Sequence, residues 1–72
     1  MAENNIISDQ TYNLLAILLS KLEGLEAYDT YIEDMQEGEG RKMIEQIRRD
    51  DERHAQMLRE HVEKLVKEGG LK

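Results

Sequence analysis

Asp51 and His54 stand three residues apart in the run Asp50-Asp51-Glu52-Arg53-His54. On a helix this spacing sets both side chains on one face in adjacent turns, where a carboxylate oxygen and an imidazole nitrogen can reach one cation. Glu23 and Glu26 repeat the spacing nearer the N-terminus with two carboxylates. The 72 residues include no cysteine, which removes thiolate ligands and disulfides together and leaves oxygen and imidazole nitrogen as the available donors. Iron, zinc and manganese all accept such donors, so the spacing points to a metal without choosing one. The competing account of the same residues is purely structural. A carboxylate placed on an apolar stripe needs a compensating charge, and Arg48, Arg49 and Arg53 lie close enough in the chain to supply it.

These residues matter only if two helices bring them together. Proline, tryptophan and phenylalanine are absent, and strong helix formers dominate, so the composition predicts an all-α chain. Ser8 followed by Asp9 has the character of an N-cap with an acidic first turn. The stripe Leu15, Leu18, Leu22, Leu25, Asp29, Ile32 then predicts a first helix over about 9–37. Glu37-Gly38-Glu39-Gly40 carries two glycines two apart and predicts a turn over about 38–40. A second stripe, Ile44, Ile47, Asp51, His54, Leu58, His61, Leu65, predicts a helix over about 40–67, ended by Gly69 and Gly70 with Lys64 and Lys67 in its last turn. Folding about the glycines pairs residues whose numbers sum to about 77, good to one helical turn. Glu26 then faces Asp51, and Glu23 faces His54. His61, with Ala16 and Ile17 at its height, reads as a core or interface histidine.

A single domain of this size buries little surface. With no disulfides, a metal or a partner chain remains as the staple. Two antiparallel helices leave most of their stripes open, so the pattern predicts a hairpin that pairs with a second copy into a four-helix bundle, as a homodimer or even homo-oligomer. In a two-fold dimer the carboxylates and imidazoles are doubled, as a di-metal carboxylate centre requires. A net charge of −6 argues against nucleic acid and anionic membranes as partners and favours cations. No apolar run is long enough to span a bilayer and the first residues are acidic and polar, so a soluble, cytoplasmic protein is expected.

The stretch Gly24-Leu25-Glu26-Ala27-Tyr28-Asp29-Thr30-Tyr31, followed by Ile47-Arg48-Arg49-Asp50-Asp51-Glu52-Arg53-His54-Ala55, resembles the ferritin-like superfamily over roughly residues 12–66. Within it the one-hairpin encapsulated ferritins and short rubrerythrin-like proteins look nearest. The resemblance implies a four-helix ferritin-like bundle built from two hairpins, with Fe(II) oxidised at a di-iron centre between them. It carries over Glu26, Asp51 and His54 as metal-binding and catalytic residues, with Glu23 assisting or admitting metal. Tyr28 and Tyr31 would hydrogen-bond ligand carboxylates or carry an electron, against simple packing as the alternative. Two positions depart from the family pattern: Asp51 stands where it has glutamate, and Gly24 stands at its first-helix glutamate. Gly24 would serve close helix approach or metal passage. Storage of mineral would need a larger ring or a surrounding protein shell, and the ending Glu68-Gly69-Gly70-Leu71-Lys72 has the look of a short loading tail for such a compartment. The function expected is a ferroxidase-type iron protein, and the alternative is a non-catalytic dimeric helical module whose polar core residues set register. In the latter case an arginine would be in contact with Asp51.

Overall fold

The computed structural model describes residues 6–69. Two helices, α1 (Asp9–Asp34) and α2 (Glu39–Lys67), pack against each other as an antiparallel hairpin. The all-helical class expected from composition is the one observed. The chain forms a plate about one helix thick, 49 × 22 × 14 Å.

The helix ends follow from local chemistry. Ser8 sits in extended backbone, and its hydroxyl oxygen accepts the Thr11 backbone N–H at 3.2 Å, satisfying one of the orphan donors of the first turn. The same hydroxyl donates to Thr11 Oγ1 at 2.9 Å. This matters because Thr11 is fully buried, and a buried hydroxyl without a partner is costly. At the other end, α1 stops at Asp34, three residues short of the expected boundary. Met35 is extended (φ −96°, ψ 141°) and turns its N–H back to Ile32 O at 3.1 Å. Gly38, at φ 153°, supplies the backbone conformation that reverses the chain and serves as the N-cap of α2. The turn therefore lies over 35–38. Gly40 belongs to the first turn of α2, with Met35 Cε 3.6 Å from where its Cβ would stand. The end of α2 is closed by a second left-handed glycine, Gly69 at φ 86°, whose N–H reaches Val66 O at 3.1 Å. Gly70 lies outside the described residues, as do Leu71 and Lys72.

Along the seam the buried apolar side chains are Leu25, Ala55 and Val62. Leu18, Leu22, Leu25 and Ala55 line an open groove on one side of it, together with Glu52, Gln56 and Arg59. Leu14, His54, Met57, Leu58 and His61 line a second groove on the other. Asp29 meets Arg48 at the expected sum of 77, whereas Lys21 and Asp51 sum to 72, more than a helical turn away, an offset that the long lysine side chain spans. The expected core position of Asp29 is corrected. Its side chain is 57% exposed, at the edge of the seam, where Arg48 Nε donates to it at 2.6 Å.

Gly24 was expected to permit close helix approach or metal passage, but a Cβ built there has no atom within 4 Å. Close approach of the two helices within one hairpin is thus not its role. Without steric cost, the substitution Gly24→Ala recovers the helix propensity and unfolded-state entropy lost at glycine. It should stabilise the hairpin by about 0.5–1 kcal/mol. A thermal melt followed by circular dichroism should show a rise of several degrees, and a fall would mean that the position needs glycine for a contact beyond the single chain.

Candidate polar site on the seam

The residues with chemical potential fall into two groups. Asp51 and His54 come together as their spacing predicts: His54 Nδ1 stands 3.5 Å from Asp51 Oδ1. Asp51 is mostly covered, its side chain 20% exposed. The same oxygen accepts a hydrogen bond from Lys21 Nζ at 3.2 Å, across the seam from α1. The Tyr28 phenol, one heptad further along α1, stands near enough to Asp51 for each to perturb the other's titration. Tyr31 is exposed.

Glu23 and Glu26 are both exposed and do not join this cluster. Glu26 is one turn beyond Leu22, so it stands on the flank where Leu22 meets Gln56 and Arg59, whereas His54 lines the opposite flank with Leu14. Among the described residues, no three Asp, Glu or His side chains gather where one ion could be held. The surroundings of Asp51 point the same way: the Lys21 ammonium donates a hydrogen bond to the carboxylate oxygen that a metal would need. One hairpin taken alone does not fit a metal centre.

The arginines expected near Asp51 are engaged elsewhere. Arg48 binds Asp29 and stands 3.8 Å from Glu52, Arg53 stands 3.6 Å from Asp50, and Arg49 donates to Gln46 at 2.8 Å. Lys21 is the partner that sequence reasoning passed over. The signal was present as Leu14, Lys21 and Tyr28 at successive heptad positions, which sets Lys21 on the line facing α2.

Electrostatics follow from these contacts. The hydrogen bond from Lys21 holds the Asp51 carboxyl below its ordinary value. Partial burial opposes this, and the Lys21 charge, Tyr28 and His54 add to the lowering. The Tyr28 phenol is raised, first by its hydrogen bond to Asp51, then by partial burial and the carboxylate's charge. Arg48 is raised by its hydrogen bond to Asp29.

Against models of known families, against curated proteins and against solved structures, the chain has no match. The ferritin-like resemblance rests on the quoted residues of the two helices.

The shifts give stability a defined dependence on pH. A depressed carboxyl contributes stability that is present above its unfolded value of 3.8 and lost as pH falls through the lower folded value. A raised phenol contributes stability present below its unfolded value of 10.0 and lost as pH rises through the higher folded value. Asp51→Asn removes the ionisable carboxylate and the charge behind both effects. Melting temperature plotted against pH should therefore be lower at neutrality than in the wild type, and flatter at both the acid and the alkaline end. Unchanged limbs would show that Asp51 is not the centre of the network.

Proposed function

We propose that this chain acts by self-association, as a non-catalytic helical module in which two hairpins pack into a four-helix bundle and the Asp51 network fixes the register of the helices. The observation that carries the reading is the apolar surface one hairpin leaves uncovered. Tyr12, Leu15, Ile17, Leu19 and Leu22 on α1 and Met43, Ile47 and Met57 on α2 are all exposed. On α1 they occupy both flanks of the seam, so α2 covers only part of an apolar arc, and a helix apolar over so much of its circumference needs further neighbours. Polar contacts within an otherwise apolar seam select one register over its neighbours.

A second reading is a ferritin-like di-iron centre shared by two hairpins. It is favoured by one observation, the adjacency of Asp51 to His54, whose imidazole borders the open groove beside Leu14. It requires the second copy to complete the ligand set, with Glu23 and Glu26 in the roles the family resemblance gives them. Zinc or manganese binding without turnover belongs to the same reading, and so does enclosure in a protein shell or compartment. Among the described residues no helix is long and apolar enough to cross a membrane, which is compatible with either reading.

Light scattering and circular dichroism on the same micromolar sample test association. The folded species should have at least twice the 8.4 kDa mass of one chain. Leu19→Glu decides between surface and interface. On a free surface such a change stays within about 0.5 kcal/mol, whereas at a subunit contact it should lower both mass and helicity. A helical monomer of wild type, or an indifferent Leu19→Glu, ends the proposal.

The iron reading has its own measurement. Fe(II) added without oxygen should raise the melting temperature of wild type and leave His54→Ala unmoved, since a ligand that binds only the folded state stabilises it. If wild type shows no shift and carries no iron after growth in iron-supplemented medium, that reading falls and the structural one stands.

A further inference from the structure

We propose that Lys21 is a built-in counter-ion occupying the place of a metal at Asp51, so that the polar cluster is complete without a divalent cation. This deepens the reading of the cluster as structural and rests on it. The geometry carries the inference in three ways. First, Lys21 Nζ donates to Asp51 Oδ1 at 3.2 Å, and that same oxygen is 3.5 Å from His54 Nδ1. An ion bridging Asp51 and His54 would have to displace the ammonium and bear its repulsion nearby. Second, Lys21 is held in place. It lies one heptad from both Leu14 and Tyr28, and its side chain is 35% exposed, with the charged end at the carboxylate. Third, the pairing is specific. Arg48 is committed to Asp29, and Arg53 stands beside Asp50, so Asp51 depends on the ammonium from the other helix. Glu23 and Glu26, which would have to complete a ligand set, are exposed and outside the cluster.

The test uses the full chain and Co(II) chloride as the probe, because Co(II) takes oxygen and nitrogen donors and reports its coordination in visible absorption. Wild type, Lys21→Met and the double variant Lys21→Met/His54→Ala are melted with and without millimolar Co(II), and light scattering is run on each sample. Met keeps the length of the stem and removes the charge. The wild type should neither shift its melting temperature nor develop protein-bound Co(II) absorption. Lys21→Met should melt lower without metal, recover by several degrees with Co(II) and show the absorption, and the double variant should show neither. If Lys21→Met does not fold alone, recovery of helix on adding Co(II) supports the proposal and failure to recover overturns it. Equal responses of wild type and Lys21→Met, or a folded Lys21→Met with no response, also overturn it. A monomeric mass alongside the expected Co(II) pattern would instead count against self-association and leave the role of Lys21 in place.

Discussion

Two helices in contact share one seam, and a seam encloses no interior. Every other feature of this hairpin is shaped by that constraint. Leu25, Ala55 and Val62 are buried because they lie on the contact line, while side chains one step round either helix stay open although they are equally apolar. Thr11 is buried with its hydroxyl accepting from Ser8, so the capping of α1 and the packing near its start are a single arrangement. Helical stability in proteins comes mostly from burying an apolar face, and here the seam buries a small part of the faces available.

The same constraint explains the state of Asp51. A carboxylate near a contact line is partly withdrawn from water, and the neighbouring helix must give back what water supplied. Lys21 and Tyr28 do so from α1, and His54 does so from the next turn of α2. The cluster is consequently a cross-link between helices as well as a means of keeping the carboxylate ionised. Asp29 and Arg48 form a second cross-link nearer the turn, with Asp29 more exposed and so less dependent on its partner. Two polar ties at different heights thus link the helices, and it is to them that the proposed module assigns the choice of register.

The two helices are not equivalent. One flank of α2 is polar, with Glu52, Gln56 and Arg59 beside the seam, and its other flank carries Met57, Leu58 and the two histidines. In α1 both flanks are apolar over the first half of the helix, from Leu14 and Ile17 on one side to Leu15, Leu19 and Leu22 on the other. Glu26 shares the flank of Leu22, away from Asp51 and His54. Any centre that used all of them would have to be assembled from more than one chain, and the self-association proposed above bears directly on whether it can be.

Much of the architecture was legible in the residues. Helix periodicity, the Ser8 cap and the pairing of residues about the glycine turn depend on local spacing, and local spacing is what a sequence records. The exposed stripes were legible for the same reason, since a hairpin's apolar area exceeds what one seam can cover. The end of α1 at Asp34 was less so, because Met35 leaves the helix to satisfy Ile32 and to let Gly38 reverse the chain, and no breaker residue marks that point. The partner of Asp51 was decided only in three dimensions. Arg48, Arg49 and Arg53 are near it along the chain, but the azimuth of each side chain about its helix and the pull of Asp29, Gln46 and Asp50 take them elsewhere. Lys21, thirty positions away in sequence, arrives because the turn and the heptad line of Leu14 and Tyr28 carry it there. Spacing within one helix tells which side chains share a face, whereas the charge that meets a given carboxylate depends on how two helices are rotated against each other, which only their packing determines.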